Sequence, residues 1–190
     1  MLVSVAGYLS GLAILLSFLP YVRDILRGQT RPERMSWLIW ALLGVIFFST
    51  QLAEGATFSL ILPAAQTAGD LLIFVLAIKW GYGGLLKRDI GALGGLLLGL
   101  ILWGLTKEAA VALFIVILID AMGAALTAIK SYEQPASETP SAWWLTFIGG
   151  ALGCLAVGSL NGILLVFPVY ICLASASILL AIRLGKRKVR

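Results

Sequence analysis

The chain has no histidine, only two cysteines among 190 residues, and charged side chains at just 12% of its positions. Without histidine or a CxxC pair, the common ligand sets for hydrolytic zinc are missing and a Ser-His-Asp relay cannot be assembled. No Walker loop is present, and no glycine loop joins a strand to a helix, so phosphate-cradling chemistry has no support. The last apolar segment has no interior lysine, which argues against a retinal Schiff base. Cys154 and Cys172 fall inside apolar segments, where they read as packing residues and carry no redox information. No enzymatic activity, metal or cofactor is expected.

The scarcity of charge also excludes an ordinary soluble domain. The chain is 61% hydrophobic with a mean hydropathy of +1.02, and water alone would not keep it in solution. Its apolar runs are roughly 17–23 residues long, about what a helix needs to cross a hydrocarbon core of roughly 30 Å. They predict helices near 3–25, 36–53, 57–79, 90–106, 109–130, 142–158 and 162–183. The fold class is therefore an all-α membrane protein with seven transmembrane helices. If these alternate from an outside N-terminus, thirteen of the fourteen basic residues fall on one side and only Lys107 on the other. Such a bias marks the cytoplasmic face, and a missed or invented helix would scatter it. The expected location is the cell membrane, multi-pass, with the N-terminus outside and the C-terminus cytoplasmic.

The first segment has no basic residue before its apolar run and reads as an uncleaved anchor rather than a signal peptide. Topology already accounts for the net charge of +5, so no nucleic-acid partner is implied. The tail Lys186–Arg190 reads as a stop-transfer anchor, with contact to anionic membrane lipid as the alternative.

Against itself, at an offset of about 105 residues, the chain partly repeats. Leu76-Ala77-Ile78-Lys79-Trp80-Gly81 returns as Leu180-Ala181-Ile182-Arg183-Leu184-Gly185, and Pro32, Ser36, Trp37 and Pro63 return as Pro135, Ser141, Trp143 and Pro168. The repeat divides the helices into two parallel three-helix bundles joined by a connector helix (3+1+3). The units are 1–81, the connector with its flanking loops at 82–107, and 108–190 with its basic tail. An odd connector restores direction, so the repeats run parallel about an axis along the membrane normal. Gly91, Gly94, Gly95, Gly99 and Gly104 suit the connector to close packing, and they permit a homo-oligomer without requiring one. No loop is long enough to hold a separate core.

Two carboxylates lie inside the membrane, Asp70 and Asp120. They sit nine and ten residues before Lys79 and Lys130, and so at similar depth at about 1.5 Å per residue. An acid there must face a wet cavity, find a partner or stay protonated, so both are candidate proton-coupling groups; structural glue between helices is the alternative. Pro63, Gln66 and Asp70 follow helical spacing with Thr67 beside them, giving one polar stripe. The matched stripe is Pro168, Ile171, Cys172 and Ser175. Substrate-binding candidates are Asp70, Gln66, Thr67, Ser175 and Tyr170, with Asn161, which also suits a helix cap. Trp40 lies one turn deeper than Trp37 and could stack on a sugar or heterocycle. For all four, Trp37, Trp40, Trp143 and Trp144, the interfacial aromatic belt or the core is the expected place. Pro63 and Pro168, each inside a third helix, are candidate hinges because a proline there frees a backbone carbonyl.

Leu19-Pro20-Tyr21 near the end of the first helix, the basic loop Arg27–Arg34, and Ser36-Trp37 opening the second resemble the PQ-loop and SWEET (MtN3-like) superfamily of transporters, as a divergent member. The signature glutamine is replaced by Tyr21, and the second unit has Ala125-Leu126-Thr127 with no proline at the matching place. The resemblance implies alternating access, substrate held between the bundles, hinging at Pro20 and proton coupling at Asp70. The expectation is a multi-pass transporter of a small polar solute, a sugar by default, with coupling left open. Alternatives are a vitamin, nucleoside or amino-acid transporter, or a non-transporting receptor or assembly factor of the same fold.

Overall fold

Six α-helices make up almost all of what the computed structural model describes, namely residues 2–53, 61–83, 90, 94, 97, 101, 105, 109–158, 160 and 162–188. They are α1 (Leu2–Leu26), α2 (Arg34–Ala53), α3 (Ile61–Trp80), α4 (Ala109–Glu133), α5 (Pro140–Val157) and α6 (Gly162–Lys188). A short 3₁₀ turn, Pro135–Ser137, separates α4 from α5. Among the described residues no strand forms, only an isolated bridge between Glu33 and Tyr82. Six of the seven expected helices are therefore present. The expected connector at 90–106 lies largely outside the described residues; within it, Ile90, Gly94, Leu97, Ile101 and Leu105 are helical and exposed.

Local chemistry sets the helix ends. Pro140, which has no N–H to leave unsatisfied, opens α5, and Gly158 closes it in the left-handed region with φ 66°. Glu33 caps α2 by accepting a hydrogen bond from the Ser36 N–H at 2.7 Å. Pro20 and Pro168 lie inside α1 and α6, as the long apolar runs around them require.

The surface is strongly apolar and the interior mixed. Leu9, Leu12, Leu19, Val75, Ile78, Leu173 and Leu180 are exposed, whereas Ser10, Ser17, Ser36, Asp70, Thr127, Lys130 and Ser175 are buried among Ile25, Ile39, Ile73 and Ile178. A surface this apolar suits lipid rather than water. Three described segments are long and apolar enough to cross a membrane: Val3–Leu26, Pro140–Val157 and Phe167–Lys188.

Each helix packs on two neighbours, and the contacts close into a ring in the order α1, α3, α2, α4, α6, α5 and back to α1. Exchanging the first three helices for the last three leaves that order unchanged. The third helix of each trio sits between the other two, and α1 meets α2 through the rings of Phe18, Tyr21 and Trp37. One end of the ring collects the C-termini of α1, α3, α4 and α6 with the N-termini of α2 and α5. There the Arg31 N–H donates to Ser137 O at 2.9 Å and the Tyr82 N–H to Pro32 O at 2.7 Å. The Arg34 side chain bonds Ala77 O and Gly83 O, and Lys188 lies over the Tyr132 ring. The two trios thus run in the same direction, and this is the end that carries Arg23, Arg27, Arg31, Arg34 and the basic tail.

The trios meet at two seams, α1 against α5 and α2 against α4, and each closes on a glycine. Ser10 Oγ donates to Gly149 O at 2.7 Å across one, and Ser36 Oγ to Gly123 O at 2.7 Å across the other. A Cβ on Gly149 would stand 2.9 Å from Ile14 Cδ1, and one on Gly123 would stand 2.9 Å from Trp40 Nε1. Gly149→Val should therefore lower stability by about 1–3 kcal/mol through overpacking. Thermal unfolding in detergent measures it, and an unchanged midpoint would show that the seam is not tight.

Candidate functional site

At the centre of the ring is a cavity of about 70 Å³ to which all six helices contribute. Ser17, Phe18 and Tyr21 come from α1, Trp37 and Trp40 from α2, and Gln66 and Asp70 from α3. Asp120 comes from α4, Trp143 and Thr146 from α5, and Tyr170 and Ser175 from α6. Five of the expected substrate-binding residues line it: Trp40, Gln66, Asp70, Tyr170 and Ser175. Thr67 is buried but does not line it, because it faces the α2–α3 contact, where its Oγ1 would be 2.8 Å from a Cβ on Gly44. Asn161 lies outside the described residues.

The two acids arrive on different elements and find different partners. Gln66 Nε2, one turn before Asp70 on α3, donates to Asp70 Oδ1 at 2.9 Å. The Tyr170 hydroxyl of α6 donates to Asp120 Oδ2, and Trp40 Nε1 donates to the Asp120 backbone carbonyl at 3.3 Å. Asp120 thus lines the cavity and also ties α2 and α6 to α4. Ser175 turns its hydroxyl back onto Ile171 O at 2.7 Å, satisfying its own helix. Of the candidate hinges, Pro20 is half-buried in α1, and Pro168 packs close to Gly153, where an added Cβ would lie 3.1 Å from the proline ring. Pro63 is in the first described turn of α3, and its side-chain surroundings lie outside the described residues.

The tryptophans divide between the two expected places, belt and core. Trp144 is exposed as a belt residue should be, but Trp37 and Trp143 are buried in the central cluster. The reason is that α2 and α5 start at the basic end with these side chains turned toward the ring axis. Trp37 meets Tyr21 at 5.1 Å, Trp40 at 5.0 Å and Trp143 at 6.4 Å between ring centroids, with Phe18 also at 6.4 Å. These separations are typical of aromatic pairs, and the rings form a floor between the cavity and the basic end.

Beneath that floor is a buried polar layer. Glu138 accepts from Trp143 Nε1 at 2.8 Å, from the Tyr21 hydroxyl at 3.3 Å and from Lys130 Nζ at 2.5 Å. Lys130 also donates to Ser137 O at 2.7 Å, and the side chains of both Lys130 and Glu138 are wholly buried. Thr139 donates to Asp24 Oδ2 at 3.1 Å and is hydrogen-bonded to Thr30. The segment 137–139 of the second trio is thereby fastened to α1 and its following loop in the first.

This layer escaped the sequence reading, although a signal for it exists. Glu33 and Glu138 are separated by the repeat offset of 105, both are buried, and both stand just before the helix whose tryptophan faces the axis. Among the described residues no group of acidic, cysteine or histidine side chains is arranged to hold a metal ion. No family model matches the chain, and searches of curated proteins and of solved structures find no match.

Proposed function

We propose that the chain is a multi-pass membrane transporter that moves a small polar solute by alternating access, in the manner that the PQ-loop and SWEET resemblance implies. Seven spans in a 3+1+3 order, with the basic end in the cytoplasm, complete this reading. The observation that carries it is the ring itself. Two trios related by exchange enclose one cavity that bears two carboxylates near mid-span, and their helices pack on each other along two seams. A pair of rigid bodies meeting at two seams can rock to open either end.

At about 70 Å³ the cavity is well below the roughly 300–1,000 Å³ of pockets that enclose drug-sized ligands. In this reading it is an occluded form, shut toward the cytoplasm by the aromatic floor and the polar layer under it. A solute enters once the seams rotate and the floor parts. The closed floor also suits a receptor that binds without transporting, and flux separates the two.

The test combines a thermal-shift screen of sugars, amino acids, amines and vitamins with liposome flux of whatever binds. It is repeated on the pair Thr30→Cys with Thr139→Cys, whose positions are in hydrogen-bond contact across the two trios. Oxidation of the pair should slow flux at least tenfold, and dithiothreitol should restore it. Flux that is indifferent to the crosslink would overturn alternating access at this end, and binding with no flux would favour the receptor.

A further inference from the structure

The cavity is acidic and aromatic and has no counter-charge of its own. Among the described residues no lysine or arginine lines it, and the buried ammonium of Lys130 is committed to Glu138 and Ser137 on the far side of the aromatic floor. Asp70 is only 4% exposed, and among the described residues its one hydrogen bond is the one from Gln66 to Oδ1. Asp70 lines the cavity, and its Oδ2 makes no described hydrogen bond. Asp120 likewise engages Oδ2 with Tyr170 and makes no described hydrogen bond through Oδ1. On the floor side, Trp37, Trp40 and Trp143 all line the cavity, packed on one another edge-on or tilted.

Carboxylates beside tryptophan faces in a site shielded from water form a receptor for positive charge. The acids supply the counter-ion, and each indole face attracts a cation within about 6 Å of its centroid. A neutral sugar would instead be met by several free hydrogen-bonding side chains, and here Gln66 Nε2 and the hydroxyls of Ser17, Thr146 and Ser175 already donate within the protein, while Trp37 Nε1 is a buried donor without a partner among the described residues. A zwitterionic amino acid would need a positive group for its own carboxylate, and the lining offers none.

We propose that this site, on the transport reading above, takes a small organic monocation, an ammonium compound, held between Asp70, Asp120 and the Trp37–Trp40–Trp143 cage. The titratable groups that face it are Tyr21 from α1, Asp70 from α3, Asp120 from α4 and Tyr170 from α6; the lining residues of α2 and α5 contribute none. A carboxylate at this depth is carried either with a proton or with a cation. The two compete, so entry of the ammonium compound releases a proton, and its accumulation is driven by an opposing proton gradient.

The experiment uses the full-length protein with three probes, methylammonium, tetramethylammonium and choline, and glucose as the neutral comparison. Quenching of tryptophan fluorescence reads binding, and uptake of the labelled compounds into proteoliposomes reads flux. At least one cation should bind saturably and more weakly by at least tenfold as pH falls, and glucose should do neither. Trp40→Leu should weaken cation binding several-fold, whereas Trp40→Phe, which keeps an aromatic face, should restore part of it. Glucose flux without cation binding would overturn the inference and leave the transport reading standing. Saturable cation binding without any flux would support the site and sink the transport reading. Absence of binding by all three cations would overturn the inference whatever else moves.

Discussion

Asp70→Asn is expected to reduce uptake about 100-fold and to remove its pH dependence, while leaving the fold intact. The substitution is close to isosteric, and its amide oxygen can still accept the hydrogen bond that Gln66 gives to Oδ1 at 2.9 Å. What disappears is the charge and, on the proposed transport reading, the proton that would travel with it. Two opposite charges about 5 Å apart, at an effective dielectric near 20, interact by about 3 kcal/mol. At about 1.4 kcal/mol per factor of ten, that is roughly two orders of magnitude in affinity for a cationic or proton-coupled solute. Asp120→Asn should cost less selectively, because Asp120 also holds Tyr170 and, through its backbone, Trp40. Liposome uptake measured across pH, with thermal unfolding as the control for folding, decides the matter. If Asp70→Asn transports with an unchanged pH profile, the acid is structural and coupling must reside elsewhere.

The sequence made Asp70 visible because an ionisable residue in an apolar run is costly and stands out without any knowledge of neighbours. Helix positions were legible for the same reason, since span length and charge placement are properties of single segments. The ring order was not. Nothing in the spacing of apolar residues says that α3 lies between α1 and α2, because helices in lipid are apolar all round and carry no facing stripe. Which tryptophan takes the belt and which the core was left open by that same gap. Trp37 and Trp144 both lie near the start of an apolar helix, and only their rotation about its axis sends one to the central floor and the other to the surface. Thr67 and Gln66 are adjacent on α3, yet 100° of helix turn puts Gln66 on the cavity and Thr67 against Gly44.

The polar layer beneath the floor was hidden for a different reason. Lys130 and Glu138 flank a loop, and charged loop residues at a membrane surface ordinarily face water. Here they do not: Pro135–Ser137 folds as a tight 3₁₀ turn that carries Glu138 back under the ring, where Lys130, Tyr21 and Trp143 converge on it. Lys130→Met is expected to be among the most damaging single changes, since it leaves the Glu138 carboxylate buried with only neutral donors. Breaking one side of a buried pair typically costs about 3–5 kcal/mol. For a chain of this size that lowers the melting midpoint by about 10 °C. Glu138→Gln should be similarly harmful, because it strands the ammonium and weakens the hold on Tyr21 and Trp143. The double variant should recover at least about 2 kcal/mol relative to the sum of the singles, because an apolar side chain beside an amide strands no charge. Thermal or mixed-micelle unfolding of all four proteins gives the coupling directly. The variants also bear on mechanism: if the layer holds the floor shut, the folded double variant should bind solute from the basic end more readily than the parent. Strictly additive losses would mean that the pair is two independent contacts, and closure at this end would then rest on the aromatic floor alone.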